Sequence, residues 1–234
     1  MSERFFLATP PRDGVAVLVG DEARHLARVL RAKVGDAVTV FDGRGQAWEA
    51  TVAALGREKV SLDIGAAHPT ETVGRRSLTL AVALPKGDRQ KWMVEKITEL
   101  GVARLVPLIT TRGVAEATDA ATARLERGVI EACKQCGRDT LMEIGGAESI
   151  TGVLAAIAAE TRKMIADPGG VPLAAPLFTE HDTSTAVLVL VGPEGGFTSA
   201  EVAAAEAAGA TRVSLGHHIL RVETAAIAAA ARLA

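Results

Sequence analysis

Ala186-Val187-Leu188-Val189-Leu190-Val191-Gly192-Pro193-Glu194-Gly195-Gly196-Phe197-Thr198-Ser199-Ala200-Glu201 holds a strand, a loop and the start of a helix in one continuous stretch. The first six residues are all apolar and rich in valine. A short apolar run that meets glycine at once reads as a strand buried on both faces. Three glycines and a proline then fall within five residues, Gly192 to Gly196. Such a main chain can close around a ligand and offer its own N–H and C=O groups for recognition. Thr198 and Glu201 stand at the spacing of a capping box, which starts a helix over Ser199 to Ala208 that Gly209 ends.

Working outward, the same alternation fills the second half of the chain. Strands are expected at Leu78 to Leu84, Leu105 to Ile109, Lys163 to Ala166 and Arg212 to Leu215. Helices are expected at Gln90 to Leu100, Ala123 to Cys136 and Val153 to Thr161, with a last one from Glu223. Strands separated by helices predict a mainly parallel sheet covered on both faces, with ligands beyond the carboxyl ends of the strands.

Two loops there carry chemistry. The Gly192 to Gly196 loop lacks the G-x-G-x-x-G spacing and no Gly-Lys-Ser or Gly-Lys-Thr follows, so neither phosphate fingerprint is present. Glu194 within it would repel a phosphate, so the loop suits a neutral or cationic ligand, although a purely structural turn reads equally well. The second loop, Leu215-Gly216-His217-His218-Ile219-Leu220-Arg221-Val222-Glu223-Thr224-Ala225, mixes apolar contacts with both charges, as a nucleoside pocket beside an anion site does. His217 and His218 lack partners at ligand spacing, so no metal is expected.

The first half reads differently. Short β-like runs at Val15 to Val19, Ala37 to Phe41, Ala47 to Ala53 and Val60 to Ile64 alternate with turn signals, predicting a small barrel or sandwich. One helix interrupts it, from Asp21 to Arg31, with Leu26, Val29 and Leu30 as its buried stripe and Arg24, Arg28 and Arg31 on its exposed face. That arginine stripe is either a solvated face or a phosphate contact. A polar stretch between Ala66 and Ser77 reads as a linker, placing the expected domains at 1–72 and 73–234.

Composition narrows the classes. The 234 residues are 48% apolar and 23% charged, enough for a true core and against wholesale disorder. Basic and acidic residues number 11 and 10 up to Arg76 and 15 and 18 beyond it, so neither half is a polybasic module. No apolar run approaches the roughly 18 to 20 residues of a spanning helix, and no secretory signal opens the chain, so a soluble cytoplasmic protein is expected. Cys133 and Cys136 have no second pair, which favours two small residues on a helix over a zinc site. Aromatic residues are only 3% and tyrosine is absent, leaving Phe5, Phe6 and Trp48 as the few stacking platforms for bases, with Phe41 placed in the barrel core.

The order of motifs closely resembles the RsmE family of the SPOUT superfamily. The resemblance is carried by Val191 to Phe197, by Leu215-Gly216 with Ile219-Leu220-Arg221 and by Glu223-Thr224-Ala225. It extends over His25 with Arg28-Val29-Leu30-Arg31, Phe41-Asp42-Gly43, Lys86-Gly87, Glu99-Leu100-Gly101-Val102, Arg112 and Gln135-Cys136-Gly137-Arg138. Leu125 stands where the family pattern has an aromatic, and His218 where an arginine is common.

The resemblance implies a PUA-like N-terminal barrel that binds RNA and a SPOUT α/β domain whose C-terminal segment forms a trefoil knot, in a homodimer. It further implies an S-adenosylmethionine (SAM)-dependent methyltransferase acting on N3 of a uridine, number 1498, in the 16S ribosomal RNA of the 30S subunit. The cofactor residues it implies are Asp167 and Pro168, then Val191, Gly192, Pro193, Glu194, Gly195 and Gly196, then Leu215, Gly216, Ile219 and Leu220. SAM has no phosphate and bears a sulfonium charge, in keeping with a glycine loop that carries Glu194.

N3 of uridine holds a proton near neutral pH, so the reaction needs a base or a cation that stabilises the uridine anion. Arg221 or Arg112 is expected as that cation and Glu194 or Glu223 as the base. Arg4, His25, Arg28, Arg31 and Lys86 are the expected RNA contacts. The competing expectations are a SPOUT methyltransferase with another RNA target and a non-catalytic RNA-binding ribosome-assembly factor.

Overall fold

Val15–Val19 (β2) alternates, with Ala16 and Leu18 buried and Val15, Val17 and Val19 exposed, the signature of a strand with one face on a core. The computed structural model describes residues 3–69, 77–113, 119–173 and 185–234. Contacts divide the chain into two units, Met1–Thr72 with Ile130–Leu141, and Val73–Val129 with Met142–Ala234. The expected boundary after Thr72 falls in 70–76, outside the described residues.

In the first unit Arg4–Phe6 (β1), β2, Ala37–Phe41 (β3), Gln46–Leu55 (β4) and Lys59–Pro69 (β5) form one sheet in the order β1-β3-β4-β5-β2. β1 pairs parallel to β3 and the other pairs are antiparallel. Register shifts between Trp48 and Ala50 and between Val52 and Ala54 bend β4, as bulges do, around a core of Phe5, Leu18, Leu26, Val40, Trp48 and Leu62. Burying a side chain of this size stabilises by roughly 1.5 to 3 kcal/mol. Phe41 is fully buried, as expected; Phe5 is fully buried too and Trp48 is 8% exposed, which removes two of the three expected stacking platforms. β5 continues through Pro69, so residues 66–69 are strand and not linker.

The helix expected from Asp21 to Arg31 is shorter and irregular. Gly20–Arg24 (α1) gives way to a π turn over His25–Val29, in which Leu30 N donates to His25 O at 3.1 Å. The wider turn breaks the 3.6-residue period on which the stripe was read. Leu26 stays buried, but Val29 is 69% and Leu30 37% exposed. Arg31 lies beyond the helix at φ +54°, so the three arginines do not share one helical face.

The second unit is built on strands Leu78–Val82 (β6), Arg104–Ile109 (β7), Glu143–Ile144 (β8), Glu148–Ser149 (β9), Arg162–Pro172 (β10), Val187–Val191 (β11) and Thr211–Ser214 (β12). The order is β12-β10-β11-β6-β7-β8, with β9 on β7, and every pair is parallel. Its helices are Asp88–Glu99 (α2), Ile150–Ala156 (α4), Ser199–Ala207 (α5) and Val222–Leu233 (α6), while Asp119–Cys136 (α3) is shared, its residues from Ile130 on grouping with the first unit.

Residues of α4 and α5, such as Val153 and Ala205, pack on Leu188 and Leu190 of β11. The alternate residues Val187, Val189 and Val191 are equally buried, and α6 packs on β6, β11 and α2. Four alanines line the buried side of α6, Ala225, Ala226, Ala229 and Ala230, and let it approach closely. α4 starts earlier than expected because the Ser149 hydroxyl caps Gly152 N at 3.0 Å, and it ends where Ile157 turns extended.

Candidate functional site

β10, β11 and β12 are neighbours in a parallel sheet, so the loops that follow them emerge side by side at one edge. They line one open cleft, with walls from Asp167 and Pro168, from Gly192 to Glu194 with Gly196 and Phe197, and from Leu215, Gly216, Ile219 and Leu220.

The first loop interrupts its own strand. Ala166 and Val171 both pair with Val213, so Asp167 to Gly170 bulge out of β10. Asp167 Oδ1 accepts from Arg212 Nε at 2.9 Å and Nη2 at 2.8 Å, and from Gly169 N at 2.7 Å. Gly170 sits so close to β12 that a Cβ there would lie 2.5 Å from Val213 N. Only glycine allows that approach.

The second loop is held from outside. Gly196 N donates to Pro193 O at 2.8 Å, closing the turn, and Arg112 Nη1 donates to Gly195 O at 2.7 Å. Glu194 pairs with Arg89 of α2 and, among the described residues, accepts no bond from a loop amide. Arg89 is hydrogen-bonded by Glu194 and feels both Glu194 and Glu223 as charges, which hold its proton more firmly than usual against the small cost of desolvation. The expected capping box is present, with Glu201 N donating to Thr198 Oγ1 at 3.2 Å and Thr198 N to Glu201 Oε2 at 2.7 Å. Glu201 Oε1 also accepts from Thr111 N at 2.8 Å, tying α5 to the end of β7. Burial pushes the Glu201 carboxyl up, but the bonds from Thr111 and Thr198 outweigh it and hold it below its ordinary value.

In the third loop, Ser214 Oγ donates to Gly216 O at 2.9 Å and Arg232 Nη1 to Leu215 O at 3.1 Å. Ile219 is 84% exposed although it lines the cleft, an apolar side chain with little protein to cover it. His217 is exposed, as is His218, and His218 lines the cleft.

A family comparison fits this geometry. Residues 74–234 match an RNA methyltransferase domain and residues 18–65 an RNA methyltransferase PUA domain. The ribosomal RNA small subunit methyltransferase E of Rickettsia conorii is 31% identical, with 92% of this chain and 88% of the relative aligned. The chain belongs to the ribosomal RNA small subunit methyltransferase E family. The member of this family from Neisseria gonorrhoeae, solved bound to S-adenosyl methionine, superposes with a TM-score of 0.88 at 32% identity, covering 99% of this chain and 96% of that one. A Legionella pneumophila methyltransferase in complex with the bound cofactor SAM gives 0.89 at 28% identity, covering 100% and 97%.

The expected cofactor residues of the family's loops line this cleft, except Gly195, which faces a neighbouring one. The four expected catalytic residues do not gather at one point. Glu194 is on the wall of both clefts and Arg112 in the second. Arg221 is the N-cap of α6, exposed and, among the described residues, without a partner for its guanidinium. Glu223 is 5% exposed and lines neither cleft, and its Oε2 has no hydrogen-bond partner among the described residues.

In the first unit, Arg4 is committed to Asp139 and lies 5.2 Å over the Phe41 ring, a structural arrangement. His25 meets Phe5 edge-on at 6.1 Å, while Arg28 and Arg31 are exposed. Sequence reasoning missed Arg212 and Arg89, since neither stands in a motif and each acquires meaning only from the carboxylate it meets across the fold.

Proposed function

We propose that the protein transfers a methyl group from SAM to N3 of a uridine in the 16S ribosomal RNA, the position numbered 1498 by resemblance, and works as a cytoplasmic homodimer on the 30S subunit. The observation that carries the reading is the cleft of three loops over adjacent parallel strand ends, in a family whose Neisseria gonorrhoeae member binds S-adenosyl methionine at 32% identity. The residues fit that group. Gly196 and Gly216 line the cleft with nothing within 4 Å of where a Cβ would stand, Ile219 offers uncovered apolar surface, and no P-loop lysine demands a phosphate. The sheet order β12-β10-β11-β6 and the return of α6 onto β6 and β11 support a trefoil path for the C-terminal segment.

SAM, when bound, supplies a methyl group on a cationic sulfonium. The chain's part is to align the acceptor and manage its proton. Alignment of the two reacting atoms contributes most of the rate in such a displacement. Arg221, set between two cleft residues and with an unengaged guanidinium, is the cation that stabilises the uridine anion. Arg112 holds the main chain of the Gly195 turn and so positions the loop. Glu194, on the cleft wall, is the carboxylate that takes the N3 proton, whereas Glu223 does not reach the cleft. Arg28, Arg31, His25 and Lys86 are the RNA contacts, and Arg4, held by Asp139, has a structural role.

The test is methyl transfer from labelled SAM to 30S subunits and to naked 16S RNA that lack the modification, with the nucleoside identified. A single 3-methyluridine is expected. Label at another base or position would establish a different RNA target, and SAM binding without transfer to either substrate would overturn the reading. Arg221→Ala is expected to lose transfer while keeping SAM affinity.

A further inference from the structure

Beside the cofactor cleft lies a second one that shares its wall. It is lined by Lys86 after β6, Arg89 in the first turn of α2, Arg112 after β7, and Pro193, Glu194 and Val222, the last three of which also line the first cleft. Three cations from three separate elements converge there against one carboxylate. Arg89 is 43% exposed and its present partner, Glu194, is 63% exposed. An exposed ion pair contributes little and is easily exchanged for a better anion. A phosphodiester offers a planar guanidinium two oxygens and a full charge, a stronger match than one solvated carboxylate.

We propose that this second cleft is the seat of a backbone phosphate next to the acceptor nucleotide of the RNA, and that the phosphate takes Arg89 from Glu194. The inference rests on the methyltransferase reading above and adds the acceptor's subsite to it. Lys86 and Arg89 bind the anion, while Arg112 remains on Gly195 O and adds its charge. No covalent step is involved. Glu194 thereby becomes the competitor of the RNA for Arg89, and the exchange frees its carboxylate on the wall the two clefts share. RNA arrival and the readiness of the proton acceptor are then one event.

Competition gives the two variants opposite signs. Binding of a 16S RNA fragment carrying the target uridine is measured by fluorescence anisotropy across a salt series, for the wild type, R89Q, K86Q, E194Q and R89Q/E194Q. R89Q and K86Q are each expected to weaken binding about three- to tenfold and to lower the slope of log K against log salt by about 0.7, the value for one single-strand phosphate contact. E194Q is expected to tighten binding severalfold, and that gain to shrink when Arg89 is already glutamine. Melting curves establish that each variant is folded, and both lysine and arginine variants report on the same cleft.

Unchanged affinity and slope in R89Q and K86Q, with a wild type that methylates the fragment, would overturn the subsite and leave the methyltransferase reading standing. An E194Q gain that is equally large with and without Arg89 would reduce Glu194 to simple charge repulsion and overturn the exchange. A wild type that binds SAM but neither binds nor methylates the fragment would overturn both readings.

Discussion

The loops after β10 and β11 line the same cleft and are held by opposite means. Asp167 to Gly170 is fixed from within the sheet, by a carboxylate that gathers two guanidinium bonds and an amide and by a glycine pressed on the backbone of β12. Gly192 to Gly196 is closed by its own turn and steadied from outside by Arg112 and Arg89, both on other elements and both solvent-facing. The first loop is a rigid floor. The second is a wall whose supports can be exchanged, which is what a loop shared between two binding clefts requires.

Changes to the floor are therefore expected to damage stability and changes to the wall to damage function. Gly170→Val sets a Cβ against Val213 N and is expected to destabilise by about 2 to 3 kcal/mol, the scale of overpacking, read as a clear fall in melting temperature. Asp167→Ala removes three hydrogen bonds, and because Arg212 is 41% exposed the loss is discounted to about 1.5 kcal/mol, with weaker SAM binding by calorimetry.

Glu201→Gln keeps one acceptor oxygen where the carboxylate has two, so it loses one of the bonds from Thr111 N and Thr198 N and is expected to cost about 1 kcal/mol at pH 7. The Glu201 carboxyl lies below its ordinary value when folded, so its contribution is complete above the unfolded carboxylate range and is lost as pH falls through the folded value. The gap between wild type and Glu201→Gln in urea melts is thus expected to close as the pH is lowered into the acid range. Arg112→Ala, on the wall, is expected to change stability by less than about 0.5 kcal/mol while lowering turnover. A loss of stability from Arg112→Ala comparable to that from Asp167→Ala would erase the contrast between the two loops.

How much of this was legible beforehand follows the same division. The β11 loop could be read because strand, glycines and capping box are local patterns, and the Thr198–Glu201 box is present as spaced. The π turn at His25–Val29 could not, because its 5-residue bonding has no sequence period to betray it, and it turned Val29 and Leu30 outward against the expected stripe. β10 was read only to Ala166, since the bulge after it depends on Val213 and Arg212, which lie some way along the chain in a different strand. Arg4 was read as an RNA contact from its charge alone. Its partner Asp139 belongs to the 130–141 segment, which groups with the N-terminal unit, a long-range pairing that no local pattern announces.

The most direct test of the cofactor cleft is calorimetric titration of SAM into the wild type and into Ile219→Glu. Ile219 is 84% exposed, so the substitution leaves the fold and the melting temperature of the free protein unchanged. The account predicts saturable binding to the wild type, weakened at least about tenfold in Ile219→Glu, a difference of roughly 1.4 kcal/mol. Equal affinity in the two proteins would contradict it and place the cofactor elsewhere.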